Sequence, residues 1–136
     1  MSRSVPNTLR TLVAKRAGFR CEYCRVHQND MVFTFQADHI ISRKHGGLTL
    51  LENLANACSV CNQNKSSDLG TYLHGSNRLT RLFNPRRDVW EKHFKAVNGE
   101  IIPLTKIGAA TVKVLDLNDS DRVNLRRLFT LQGSYP

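Results

Sequence analysis

The sequence predicts an α+β domain with a cysteine-stapled core, a C-terminal hairpin and short closing helices. Three observations carry that expectation. Two matched C-x2-C pairs stand at Cys21/Cys24 and Cys58/Cys61, a β-rich run "MVFTFQADHII" lies between them, and Asn98-Gly99 separates two apolar segments further on. At 136 residues the chain has the size of one ordinary domain. We therefore read 1–136 as a single domain, with a core over 10–68 and a basic C-terminal extension over 78–136 packed on it.

In chain order, "NTLRTLVAKRAGFR" reads as a short helix. Asn7 or Thr8 is the expected cap, Leu9, Leu12 and Val13 form its apolar face, and Gly18 suits the left-handed residue beyond its end. "CEYC" is a knuckle, and "MVFTFQADHII" has the β-branched and aromatic content of a strand. "SRKHGG" is a loop. "LTLLENLANACSVCNQNKSSDL" is expected to begin as a short strand, pass through a second knuckle and become a helix from about Cys61 to Asp68. Gly70 and Gly75 bracket an irregular stretch. Asn98-Gly99 is a strong hairpin signal between "VWEKHFKAV" and "EIIPL", although Asn84 and Pro85 could also open a helix. Two helices close the chain, over 106–117 and 121–131, the second with Ser120 as cap and Gly133 beyond its end. Trp90 and Phe94 are read as core.

The cysteines carry the most specific chemistry. Each C-x2-C turns two sulfurs towards one point, and two such pairs form the tetrahedral four-thiolate set that structural zinc prefers. A redox C-x-x-C needs only one pair, set on a thioredoxin-like pattern that this chain lacks. With all four positions filled, a zinc ion on Cys21, Cys24, Cys58 and Cys61 has no open site for catalysis. The 33 residues between the pairs exceed a simple zinc ribbon, and that insertion holds Asp38 beside His39.

No apolar run approaches the roughly 18 residues of a membrane helix, and "MSRSVPNTLR" has no apolar signal core. A cytoplasmic location and no membrane partner are expected. The formal charge of +9 is unevenly spread. Residues 1–25 carry six basic side chains against one acidic, residues 78–99 carry six against two, and residues 26–77 carry three against four. A near-neutral middle between basic flanks favours a nucleic-acid partner over a neutral one.

Taken together, "CEYC", "ADHI", "GG", "ENL" and "CSVCNQNK" resemble the HNH endonucleases, nucleases of the ββα-metal, treble-clef-like fold. The resemblance spans about residues 10–68, in the family's order. "RLFNPR", "W..HF" and "LT..G.ATV" are similar, less specifically, to the tail of small stand-alone members. It implies a DNA endonuclease in which Asp38 ligates a catalytic metal and His39 is the general base. Asn53 would fix the hairpin loop and orient that base. Asn62 stands where the motif's last histidine would be and would supply the second metal ligand, while Ser66 occupies the place of a further histidine found in some members. Asp38 and the Asn62 amide oxygen are hard donors, which suits Mg²⁺ or Mn²⁺.

Arg43, Lys44 and His45 border this constellation, and with Lys65, Arg86 and Arg87 they are the candidate DNA contacts. Arg122, Arg126 and Arg127 are expected to add general affinity. Double-stranded DNA is the expected partner, with the protein a monomer or weak dimer. Two rival readings use the same residues: a non-catalytic zinc-containing DNA-binding module, and a nuclease subunit that cuts only with partner proteins. One tension is built in. Neighbouring residues on a regular strand point to opposite faces, so Asp38 and His39 can share a site only at a distorted strand end, which Gly46 and Gly47 would permit.

Overall fold

A computed structural model describes residues 5–136. Helix α1 (Asn7–Arg16) leads into the first cysteine knuckle. Strands β1 (Gln36–His39) and β2 (Leu54–Ala57) pair antiparallel, with Asp38 opposite Ala55 and His39 opposite Leu54. Helix α2 (Ser59–Lys65) follows β2 at once and packs on β1. This ββα unit lies between the two knuckles and includes the second.

Two further hairpins follow. Strands β3 (Gly70–Tyr72) and β4 (Leu79–Arg81) form one, and β5 (Phe94–Val97) and β6 (Glu100–Pro103) form the other. A single helical turn, α3 (Trp90–His93), precedes β5, and helices α4 (Lys106–Leu115) and α5 (Ser120–Leu131) close the chain. The architecture is thus mixed α+β, with short strand pairs and five helices among the described residues.

A contiguous cluster of buried side chains runs from the cysteines and Tyr23 through Phe35, Ile40 and Ala55 to Phe83, Trp90, Phe94, Ile101, Leu115 and Phe129. Aromatic edges stitch it: Phe83 and Phe94 meet at 5.4 Å in a T-shaped arrangement. Trp90 Nε1 donates to the Tyr23 carbonyl at 2.8 Å. The C-terminus returns to the first knuckle, where the Tyr135 hydroxyl donates to the Cys24 carbonyl at 2.8 Å. A smaller cluster of Val5, Val13 and Leu54 seats α1 on the β1–β2 hairpin.

The structure departs from the sequence expectations in definite places. Only Gln36–His39 of the β-rich run is strand, because only those residues face β2; Val32 and Phe33 have strand propensity but no partner and stay exposed. Pro6, not Asn7 or Thr8, stands at the start of α1, with no side-chain cap. Helix α2 starts and ends earlier than expected. The Cys58 sulfur caps it by accepting from the Cys61 amide, and Ser66 at φ +49° ends it. The stretch after Gly70 is a hairpin, and Gly70 is required there because a Cβ would lie 2.4 Å from the Thr80 carbonyl oxygen. Residues 90–93 are helical rather than strand, whereas the Asn98-Gly99 hairpin forms as expected, with both residues at positive φ. Asp119 rather than Ser120 caps α5, accepting from the Asp121 amide.

The loop between β1 and β2 is closed by the Gly pair. Gly46 adopts φ +88°, and a Cβ on Gly47 would lie 1.6 Å from the Ile41 carbonyl oxygen. Gly47→Ala is therefore expected to lose about 1–3 kcal/mol, the usual cost of overpacking a tight site. A lowered midpoint in urea unfolding would register this, whereas an unchanged midpoint would show that the loop can yield at Gly47.

Candidate functional site

Asp38 is 5% exposed and is held from two sides. The Tyr23 hydroxyl, inside the first knuckle, donates to Oδ2 at 2.8 Å. From the last turn of α2, Lys65 brings its ammonium to 3.2 Å from Oδ2 and 3.4 Å from Oδ1, and also donates to the His39 carbonyl at 3.0 Å. Lys65 is 2% exposed, so it is neither a solvated lysine nor a free phosphate contact; it is the counter-charge of Asp38. Burial pushes the Asp38 carboxyl above the usual carboxylate range, while Lys65, Tyr23 and His39 draw it back.

His39 is half-buried, and its Nε2 lies 2.9 Å from Thr49 Oγ1. Arg43 donates to the same hydroxyl oxygen at 3.1 Å. Nδ1 makes no hydrogen bond among the described residues. Burial first, with help from Arg43 and Lys65 and against the pull of Asp38, lowers the imidazole below its ordinary value, which favours the neutral ring at pH 7.

Asn53 ties the loop together. Its Oδ1 accepts from the Ile41 amide at 2.9 Å, and its Nδ2 donates to the carbonyls of Ile41 and Leu48, both at 2.9 Å. The segment that carries Thr49 is thereby pinned to the residues that follow His39. Asn62 is half-buried on α2, and its side-chain amide makes no hydrogen bond among the described residues. The Gly pair does not bend β1 itself, since Ile40 still pairs with Asn53; it folds the loop back over the strand end.

Asp38 and Asn62 offer oxygen donors of the kind a hard cation takes. Tyr23 occupies Oδ2, but Oδ1 meets only the long contact from Lys65 and retains lone-pair capacity, while the Asn62 amide oxygen is uncommitted.

The four cysteines are buried, and their sulfurs all lie within 4.8 Å of one another. Cys24 and Cys58 sulfurs stand 3.8 Å apart, matching the edge of about 3.8 Å that a tetrahedron with Zn–S bonds of about 2.3 Å requires. The cluster is compatible with a structural zinc site.

Arg43, Lys44 and His45 form an exposed 3-10 turn beside His39, and Arg87 is exposed. Other expected DNA contacts are committed inside the fold. Arg86 pairs with Glu22. Arg126 is 1% exposed and donates to the carbonyls of Gly99 and Leu117, and Arg122 is turned onto the Cys61 sulfur. For Arg122 and Arg126 the cause is shared: a guanidinium can satisfy several carbonyls or sulfurs at once, which composition does not reveal. Tyr23 and Thr49 were not singled out from the sequence. Tyr23 lies within a quoted motif, but nothing there indicates that its hydroxyl reaches Asp38. No sequence signal points to Thr49.

Removing Lys65 isolates a buried carboxylate, so Lys65→Met is expected to lose about 3–5 kcal/mol. Combining it with Asp38→Asn should restore much of that loss, because the amide needs no counter-charge. A double-mutant cycle by urea unfolding checks the coupling; additive losses would show that the two side chains do not sense each other.

No curated protein and no solved structure gives a significant match to the chain. The family model described as HNH endonuclease matches residues 21–68, which run from the first knuckle cysteine to just past α2 and enclose both knuckles, Asp38, His39, Asn53 and Asn62. That match and the ββα unit beside the clustered cysteines agree, and over residues 21–68 the chain is similar to the HNH endonuclease family.

Proposed function

We propose that the protein is a metal-dependent endonuclease that hydrolyses phosphodiester bonds in double-stranded DNA. The observation that carries this reading is the end of β1: a buried carboxylate at Asp38 adjoins a neutral-leaning His39 whose Nδ1 is free. Asp38 and Asn62 would hold Mg²⁺ or Mn²⁺, which when bound supplies Lewis-acid stabilisation of charge on the phosphoryl and leaving oxygens.

The chain's own residues supply the rest. His39 Nε2 meets the Thr49 hydroxyl; in the tautomer in which Nε2–H is the donor, the Nδ1 lone pair is left to accept a proton from the attacking water. Asn53 acts as a positioning residue by holding the loop that presents Thr49. The exposed turn of Arg43, Lys44 and His45, with Arg87, would grip the phosphate backbone, and binding through such contacts weakens steeply as salt rises. In-line attack would leave a 5′-phosphate and a 3′-hydroxyl.

The Lys65–Asp38 pair is the one observation that favours the non-catalytic DNA-binding module, since it gives Asp38 a partner without any metal. Purified protein incubated with supercoiled plasmid decides between the readings. Conversion to open circles that requires Mg²⁺ or Mn²⁺ and falls at least ~100-fold in His39→Ala is expected, from the usual contribution of a general base. Absence of cleavage by wild type that still binds DNA would move the assignment to the binding module or to a subunit needing partners.

The pH profile gives a second check. The base works deprotonated, and its affinity for the proton is lowered in the fold. Cleavage should therefore persist as pH falls towards the ordinary imidazole value of about 6.5 and be lost only below it. An acid limb centred well above that value would assign the proton transfer to another group.

A further inference from the structure

The four clustered cysteines are not equivalent. Cys21 and Cys58, the first of each pair, accept the backbone N–H groups of Cys24 and Cys61, each at 3.4 Å. Cys61 receives a side chain instead. Arg122, on α5, brings Nη2 to 2.9 Å from the Cys61 sulfur and 3.9 Å from that of Cys58. Its other terminal nitrogen, Nη1, donates to the carbonyls of Leu115 and Asp116 at 2.7 and 3.0 Å, where α4 ends. None of the ion pairs among the described residues includes Arg122, so its counter-charge is sulfur.

A divalent ion on four thiolates leaves a net double negative charge in a buried setting. Backbone N–H groups offset part of it at Cys21 and Cys58, and a guanidinium offsets more, since it is a full charge with donors in a fixed fork.

We propose that Arg122 is an outer-sphere positioning residue of the four-cysteine metal site, bridging the second knuckle's sulfurs to the end of α4. Metal retention in the N-terminal core then depends on a residue of α5, more than sixty positions along the chain. The proposal rests on metal occupancy of the cysteine cluster and is independent of the nuclease reading, because its test involves no DNA.

The test is a chelator challenge of the zinc-loaded full chain, followed with a chromophoric chelator in excess. Arg122→Leu is expected to release zinc about 10–100-fold faster than wild type, the usual effect of removing an outer-shell partner. Arg122→Lys, which keeps the charge but not the fork, should fall between them. In Co²⁺-loaded protein the sulfur-to-metal charge-transfer band should shift to lower energy in Arg122→Leu, because an unneutralised thiolate is the better electron donor. Wild-type release and an unmoved band in a folded Arg122→Leu would overturn the proposal. If Arg122→Leu does not fold with zinc present, Arg122→Lys decides: faster release supports the bridge and wild-type release overturns it.

Discussion

Tyr23 lies between the two cysteines of the first knuckle, and Lys65 lies four residues past the second. Both reach Asp38, one through its hydroxyl and the other through its ammonium. Closing the four sulfurs into one cluster therefore does more than staple a loop. It fixes the two side chains that flank the buried carboxylate, and it launches α2 through the Cys58 sulfur that caps it. A shift of the second knuckle would move α2, then Lys65, then the end of β1. The site inherits its geometry from the sulfur cluster without touching it.

A buried carboxylate and a buried ammonium are both costly to desolvate, and the pair offsets that cost only while both partners stay in place. Around it the structure adds neutral partners rather than further charge. The Tyr23 hydroxyl donates to one carboxylate oxygen, and the His39 carbonyl accepts a hydrogen bond from the Lys65 ammonium. At the end of the same strand, His39 meets a hydroxyl shared with Arg43. The strand end thus holds two environments side by side, a dry ion pair at Asp38 and a half-exposed imidazole at His39 beside the basic turn.

The C-terminal extension uses its positive charge differently from its composition. Arg86 pairs with Glu22 beside the first knuckle, Arg122 faces sulfur, and Arg126 ties the β5–β6 turn to the segment after α4. These arginines hold the extension to the core and to itself. Arg43, Lys44 and Arg87, by contrast, stay exposed, so the free positive surface is smaller than the formal +9 suggests.

Local chemistry made part of this legible from residue order alone. The two C-x2-C pairs foretell the sulfur cluster, because each pair can hardly do otherwise than present two sulfurs together. Asn98-Gly99 foretells a hairpin, because few other residues adopt two successive left-handed conformations. The Asp-His dipeptide, the Gly pair and the two asparagines all lie within the segment that the family model matches. Tertiary structure decided what depends on partners distant in the chain. The strand begins only at Gln36 because β2 offers only four residues to pair with, and Lys65 turned inward because Asp38 lay within reach. Thr49 met His39 because Asn53 pinned the loop, and Arg122 and Arg126 of α5 found sulfur and carbonyls, while Arg127 stayed exposed. In each case the deciding energy is a contact between residues far apart in sequence, which a reading of local pattern and charge does not contain.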